Sequence, residues 1–328
     1  MKAVCIDSEK EGFPLTWEDV PDPGCSPEDV IVDVHATAVN RADLLQRAGH
    51  YPVPAGASPY MGLEMSGVIA EVGKQVRGWQ VGDRVCALLS GGGYAEKVAV
   101  PSQMLVRIPQ GWSFAKAAAV PEVFYTAFVN LFMEAGLQKG ETVLIHGGAS
   151  GVGTAGIQMA HRANCRVIAT AGRDDKVARC LELGADAAIH YRERDFLEAV
   201  AEVAPEGVDV ILDISGGAYL ERNVLLLKRQ GRLVIIALLG GARAQIDLGL
   251  MLRNRLRVIG SVLRSRSLAE KVAIKAGFES RFWPLLIQGR ITPVIDSVLP
   301  IERVSDAHEI LQNNRNIGKV ILTVREDC

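Results

Sequence analysis

Apolar residues fall in two different patterns along this chain, and the change comes near residue 120. Before it they come in short β-branched runs at 3–6, 30–39, 65–72 and 82–88, and residues 91–100 read as a loop passing into a strand. Glycine and proline punctuate these runs, with a proline-rich link at 21–27, a loop at 51–56 and a turn at 73–78. Residues 40–48 read as one short helix ended by Gly49. Many short strands joined by such turns predict a partly open β-barrel. Helices at 114–119 and 123–134, separated by Pro121, lead into the second pattern. There, strand-like runs at 142–146, 166–170, 187–190, 208–213, 232–237 and 256–262 alternate with helical stretches at 152–163, 174–183, 194–203 and 219–227. That βα repeat predicts an α/β domain with a mostly parallel, doubly wound sheet of the Rossmann type. The tail predicts helices over 268–288 and 305–312 and a strand over 319–324 that returns to the first domain. The expected division is 1–121, 122–262 and 263–328.

The turn after the first βα strand is built from Gly147, Gly148, Gly151 and Gly153, and Val152, Ile157 and Ala160 follow at helical spacing. Strand, glycine turn and helix in that order let backbone N–H groups and a helix N-terminus meet a pyrophosphate. The spacing, Gly148-x-x-Gly151-x-Gly153, is not a strict dinucleotide fingerprint, and a purely structural loop fits it as well. The cofactor reading gains from the end of the second strand, where a residue that reads the ribose is expected. There the chain carries Gly172 and Arg173 in place of an acid, with Lys176 close behind. Gly172 leaves room for a 2′-phosphate and the two cations offer it charge, so NADPH is favoured over NADH. Asp174 and Asp175 complicate that charge, and Asp174 is read as the cap of the following helix. Tyr191, after the third strand, either stacks near the adenosine end or is an ordinary surface tyrosine.

Composition narrows the classes. The chain has 328 residues and 48% hydrophobic content, which suits about two domains with real cores. A net charge of −2 gives no electrostatic footprint for nucleic acid or an anionic membrane. No apolar run is long enough to span a bilayer, and the start lacks the apolar core of a secretory signal. Cys5, Cys25, Cys86, Cys165, Cys180 and Cys328 are scattered, with no closely spaced pair. They read as reduced thiols of a cytoplasmic protein rather than as a zinc cluster. His146 ends a buried strand and reads as a packing residue. Arg253, Arg255 and Arg257 alternate as on a solvated strand edge, or flank a dimer contact.

Four stretches together carry a resemblance: Asn40-Arg-Ala-Asp-Leu-Leu-Gln-Arg47, Gly62-Leu-Glu-Met-Ser-Gly-Val68, Val81-Gly-Asp-Arg-Val85, and His146-Gly-Gly-Ala-Ser-Gly-Val-Gly153. They resemble the medium-chain dehydrogenase/reductase superfamily over essentially the whole chain, in its zinc-free quinone oxidoreductase branch. Gln46-Arg-x-Gly-x-Tyr51, Gly91-Gly-Gly93, Leu263-Arg-Ser-Arg266 and Asn316-Ile-Gly-Lys319 are most similar to its p53-inducible group. Ser150, where the broader branch has glycine, agrees with that group. The resemblance implies a GroES-like barrel as the catalytic domain, followed by the NADP(H)-binding domain. Zinc members carry Cys-Arg-x-Asp and Gly-His-Glu, where this chain has Asn40 and Leu63, so no metal is expected.

The resemblance also assigns residues. Ala149, Ser150, Gly151, Val152 and Gly153 would hold the pyrophosphate, and Gly172, Arg173 and Lys176 the 2′-phosphate, with Tyr191 nearby. Thr126 would approach the nicotinamide, which Leu239, Gly240, Ser261, Val262 and Leu263 would line. Asn316 would reach the cofactor from the C-terminal segment, and Ser215 is a further candidate. Asn40 would hydrogen-bond a substrate or nicotinamide oxygen, or cap a helix. Tyr51 would orient or protonate a carbonyl oxygen, or pack its loop. Glu64 lies near the site in the superfamily or orders its loop. The last sheet strands imply a homodimer.

Without a metal, hydride transfer needs an acceptor that spreads the incoming charge itself, as quinones and conjugated carbonyls do. The leading expectation is an NADPH:quinone oxidoreductase. Its rival is an enone or enoyl-thioester reductase, for which Arg264 and Arg266 would supply a basic patch. A third reading, of another class, is a low-turnover NADPH-binding protein acting in redox sensing or RNA binding.

Overall fold

The computed structural model describes residues 1–7 and 9–325, so Cys328 lies outside the described residues. Seven strands come first: β1 (Lys2–Ile6), β2 (Leu15–Asp19), β3 (Asp29–Val39), β4 (Glu64–Val72), β5 (Arg84–Leu88), β6 (Lys97–Pro101) and β7 (Val106–Arg107). The βα region adds β8 (Thr142–Ile145), β9 (Arg166–Ala171), β10 (Ala187–His190), β11 (Val208–Asp213), β12 (Leu227–Ile235) and β13 (Arg257–Gly260). Strands β14 (Ile295–Pro300) and β15 (Lys319–Thr323) close the chain. The helices are α1 (Arg41–Arg47), α2 (Phe114–Ala118), α3 (Pro121–Phe128), α4 (Gly151–Arg162), α5 (Asp174–Glu182) and α6 (Phe196–Val203). They continue with α7 (Leu220–Leu226), α8 (Leu248–Asn254), α9 (Leu268–Arg281), α10 (Trp283–Ile287) and α11 (Val304–Gln312).

The chain divides into two compact units. The first holds Met1–Val123, Arg264–Gly277 and the chain from Pro293 onward. Its main sheet runs β14-β15-β3-β4-β5-β7, with β6 also paired to β3, and β1 and β2 form a separate antiparallel pair. Strand β3 is the hub, because its 11 residues pair with β4, β6 and β15. Register then decides what meets at its end. Val39 pairs with Val320 and Thr37 with Met65. The residues next along the chain, Asn40, Lys319 and Glu64, are thereby brought to one end of the sheet. Val4, Met61, Tyr94, Ile301 and Leu322 pack in a core beside it.

The second unit holds Phe124–Leu263 and Phe278–Thr292. Its six-stranded sheet is parallel throughout, in the order β10-β9-β8-β11-β12-β13. That is the 3-2-1-4-5-6 order of a doubly wound nucleotide-binding sheet, with its reversal between β8 and β11. Leu144, Ile168, Ile211 and Leu233 from four strands pack with Phe196, Val200 and Val224 of α6 and α7. A cluster of aromatic rings, Phe124, Tyr125, Phe128 and Phe282, surrounds Phe278, with centroids 5.2–6.2 Å from it.

Several elements differ from the expectation. Pro121 does not separate two helices but starts α3, where its missing N–H costs nothing. The expected 123–134 helix widens into a π-type stretch over Val129–Glu134. The 268–288 helix breaks at Phe282, because Pro284 can neither donate to the preceding turn nor clear its carbonyl. Strands β2 and β14 and helix α8 had no strong pattern; β14 buries only Leu299 fully.

Phe278 is fully buried. Phe278→Ala should therefore cost about 3–5 kcal/mol, read as a lower urea midpoint at unchanged slope.

Candidate active site

All six strands of the second unit run the same way, so the segments that follow them emerge at one edge. Gly147–Gly153 follows β8, Gly172–Lys176 follows β9 and Tyr191 follows β10. Ser215 follows β11, Leu239 and Gly240 follow β12, and Ser261, Val262 and Leu263 follow β13. Fifteen of the seventeen residues expected to hold the cofactor thus come from the carboxyl edge of one sheet. Ligands bind doubly wound folds at that edge. Thr126 instead stands on α3, its carbonyl accepting from Asn130, and Asn316 belongs to the first unit, its amide donating to the Gly318 carbonyl at 2.7 Å.

The glycine turn is shaped for close approach. A Cβ at Gly153 would lie 2.3 Å from the Gly147 carbonyl oxygen, and one at Gly148 would meet Cys180 Sγ at 2.7 Å. Ser150 caps α4 by accepting from Gly153 N–H at 3.0 Å. The N–H groups of Gly151 and Val152 have no acceptor within the helix, as at any helix start, and can face an anion. The turn therefore fits a pyrophosphate. At the next strand, a Cβ on Gly172 would lie 2.6 Å from the Tyr191 hydroxyl. Tyr191 thus roofs Gly172 and is 39% exposed. Arg173 and Lys176 stand beside it, with Arg173 held by Asp175 through contacts of 2.9 and 2.6 Å. Asp174 does not cap α5. Arg173 occupies the cap position, and Asp174, one residue later, turns its carboxylate to solvent.

His146 is a packing residue, as its sequence position suggests. Its nitrogens meet Thr170 Oγ1 at 3.1 Å and Asn223 Oδ1 at 2.8 Å, and burial pushes it down to about 4. Burial raises the Cys165 thiol to about 11 and the Cys180 thiol to about 12, so both stay protonated.

The first unit holds a second constellation. Lys319 is 3% exposed and its ammonium uses all three donors: Asn40 Oδ1 at 2.5 Å, Glu64 Oε1 at 2.7 Å and the Val39 carbonyl at 3.2 Å. The Asn40 amide donates to Glu64 Oε1 at 3.0 Å and to the Ala38 carbonyl at 3.2 Å. Glu64 Oε2 accepts from Glu122 N–H at 2.8 Å. Asp43 accepts from the N–H groups of Asn40 and Gly62 and from the Tyr94 hydroxyl. Burial raises Asp43 to about 6. Burial and the neighbouring Glu64 push Glu122 up to about 8. Tyr51 is half-buried, and desolvation and Glu122 raise its phenol to about 12.

Residues 26–110 match the alcohol dehydrogenase GroES-like domain and residues 151–276 the zinc-binding dehydrogenase family. The chain is 34% identical to the human synaptic vesicle membrane protein VAT-1 homolog, over 92% of this chain and 80% of that protein. It is 31% identical to quinone oxidoreductase-like protein 2 of Rattus norvegicus, over 98% of this chain and 92% of the relative. The chain belongs to the medium-chain dehydrogenase/reductase superfamily. Quinone oxidoreductase from Thermus thermophilus, solved also in complex with NADPH, matches with a TM-score of 0.84 at 33% identity, over 99% of this chain and all of that one. As a member of the superfamily the chain is an oxidoreductase that uses a nicotinamide cofactor.

A metal does not fit the positions that hold zinc in other members. Leu63 offers no donor atom and is buried, and the oxygens of Asn40 and Glu64 already hold the Lys319 ammonium. The Asn40 amide, expected to donate to a ligand, has both N–H groups engaged within the protein. Lys319 and Glu122 were not singled out as site residues; the signal was Lys319 at the start of the closing strand, read only as a family mark.

Two expectations test this network. Lys319→Met or Glu64→Gln alone leaves a buried charge or polar group unpaired and should cost about 3–5 kcal/mol, whereas the double variant should recover most of the loss. Glu122 holds its proton in the fold to about pH 8 but loses it near the ordinary 4.5 when unfolded. Its contribution to stability is therefore complete below 4.5 and fades as pH rises towards 8. Urea melts of Glu122→Gln should show a shallower loss of stability across that window.

Proposed function

We propose that this protein is a zinc-independent NADPH:quinone oxidoreductase, with a GroES-like catalytic domain at 1–121, an NADPH-binding domain at 122–262 and a segment at 263–328 that returns to the first unit except for Phe278–Thr292, which belongs to the second. The observation that carries the chemistry is the Asn40–Glu64–Lys319 network, which occupies with an ammonium the place where a Lewis acid would sit. An acceptor reduced here must delocalise its own charge, as a quinone does. The bound cofactor supplies hydride; the chain binds, orients and excludes water.

In this reading the Ala149–Gly153 turn takes the pyrophosphate on backbone N–H groups. Gly172, Arg173, Lys176 and Tyr191 surround the 2′-phosphate end. Arg173 reaches that phosphate by exchanging its contact with Asp175, a carboxylate for a phosphate. Thr126, Ser215, Leu239, Gly240, Ser261, Val262, Leu263 and Asn316 complete the cofactor contacts. Asn40 positions, because its amide is tied to Glu64 and Lys319. Tyr51 orients the acceptor by hydrogen bonding; with its phenol raised to about 12, it donates a hydrogen bond without giving up the proton.

A homodimer through β13 is part of the proposal. That strand lies at the end of the sheet order, and Val258, Val262, Leu248 and Leu252 around it are exposed. No helix among the described residues is long and apolar enough to cross a membrane. The five described cysteines are free thiols, which suits a reducing cytoplasm.

Oxidation of NADPH and NADH should be followed with 1,2-naphthoquinone, 1,4-benzoquinone, an enone and crotonyl-CoA. The reading requires quinone turnover with NADPH well ahead of NADH. Arg173→Ala/Lys176→Ala should weaken NADPH about tenfold or more and leave NADH nearly unchanged. Tyr51→Phe should lower quinone kcat/KM about tenfold. Preference for crotonyl-CoA or the enone would move the function to double-bond reduction. Tight NADPH binding with no turnover would favour the binding-protein reading.

A further inference from the structure

Arg264 is 4% exposed, yet both of its terminal nitrogens, Nη1 and Nη2, are buried without a hydrogen-bond partner. A guanidinium in that state is costly, since its terminal N–H groups have left water without a hydrogen bond in return. It is also firmly aimed. Nε donates to the Ser90 carbonyl at 2.8 Å. Lys271 fastens the same segment, donating to Ser90 Oγ at 2.6 Å and to the Arg264 carbonyl at 2.7 Å. Ser90 is in turn set by Gly91, Gly92 and Gly93. A Cβ at Gly91 would meet the Ser58 carbonyl oxygen at 2.5 Å, and one at Gly93 the Glu64 carbonyl oxygen at 2.6 Å. The ring of Tyr51 lies over the guanidinium, 5.2 Å from Cζ to centroid. Every one of these residues belongs to the first unit. A triple-glycine turn, a buried lysine and a serine thus hold a fork of unsatisfied donors beside the tyrosine already placed at the acceptor.

We propose that Arg264 is the acceptor-oxygen site: its Nη groups receive the carbonyl oxygen of the substrate once the Tyr51 ring turns aside. This rests on the oxidoreductase reading above. The hydride that a bound reduced nicotinamide would supply adds one hydrogen and two electrons to the acceptor, whose π electrons would move onto its carbonyl oxygen. That oxygen, now anionic, is held by the guanidinium until a water proton reaches it, which completes the two-electron, two-hydrogen reduction. The donors face the charge that develops during the reaction, so they hold the product oxyanion more tightly than the neutral carbonyl. Lysine at 264 would keep the charge and lose the fork.

The test uses the full-length protein with Arg264→Met and Arg264→Lys. Acceptor kcat/KM should fall about a hundredfold in Arg264→Met and less in Arg264→Lys, while the NADPH Kd from fluorescence stays within about twofold. Guanidinium ion at low millimolar concentration should restore part of the activity of Arg264→Met, which a purely structural loss would not allow. Benzoate, a non-reducible anionic oxygen probe, tests the site apart from turnover. Calorimetry should show it binding the wild-type protein and at least tenfold more weakly to Arg264→Met. If the wild type reduces no quinone or enone, the oxidoreductase reading of this site fails while the benzoate result still decides whether Arg264 binds anionic oxygen. Equal benzoate affinity in the two proteins would overturn the proposal, as would a loss confined to NADPH binding. Should Arg264→Met not fold, Arg264→Lys with unchanged acceptor kcat/KM and benzoate affinity would overturn it as well.

Discussion

The Lys319 ammonium is the constraint around which the first unit is arranged. A buried cation is tolerable only where each of its donors finds an acceptor, and here Asn40, Glu64 and Val39 supply them. Those acceptors come from β3, β4 and the turn after β3, so the pairing of β15 with β3 has to be in one register. A slip of one residue would carry Lys319 away and leave Glu64 without its counter-charge. Asn40 and Glu64 are consequently held still. Glu64 accepts the N–H of Glu122, and Asp43 accepts the N–H of Asn40 and the Tyr94 hydroxyl. One ion pair thereby ties four segments of chain together and engages the Asn40 Oδ1 and Glu64 Oε1 oxygens.

The second unit solves a different problem with backbone rather than charge. Its parallel strands deliver their following loops to one edge, and at Gly147, Gly148, Gly153 and Gly172 neighbouring atoms leave no room for a Cβ. The room at Gly172 is already taken by the Tyr191 hydroxyl, which explains why no Cβ can stand there. The positive charge next to it is partly neutralised by Asp175. Preference between the two nicotinamide cofactors therefore rests on how readily Arg173 trades that carboxylate for a phosphate.

Much of this was legible in the chain. The change from short strands with glycine and proline turns to the βα alternation marks a change in the way strands are covered, and the strands 187–190 and 208–213 appear where the pattern puts them. The glycine turn was legible because its spacing lies between a strand and a helix. The network at Asn40 was not, since Lys319 lies 279 residues away and meets it only through strand register. Asn40 read as a donor towards a ligand, and only the folded neighbours show its amide engaged. Arg264 stood in the sequence as part of a basic patch; that its terminal nitrogens lack partners is a property of packing. The break at Phe282 and the start of α3 at Pro121 both turn on where a proline falls relative to a helix end, a matter of one or two positions.

The central claim is that an internal ammonium network, and not a metal, organises the chemistry of this oxidoreductase. Its most direct test is NADPH-dependent quinone reduction after exhaustive dialysis against a strong chelator, with the metal content of the same sample measured. The account predicts less than about one-tenth of a metal per chain, with undiminished turnover and no gain on adding zinc. Activity lost with the chelator and restored by stoichiometric zinc would contradict it.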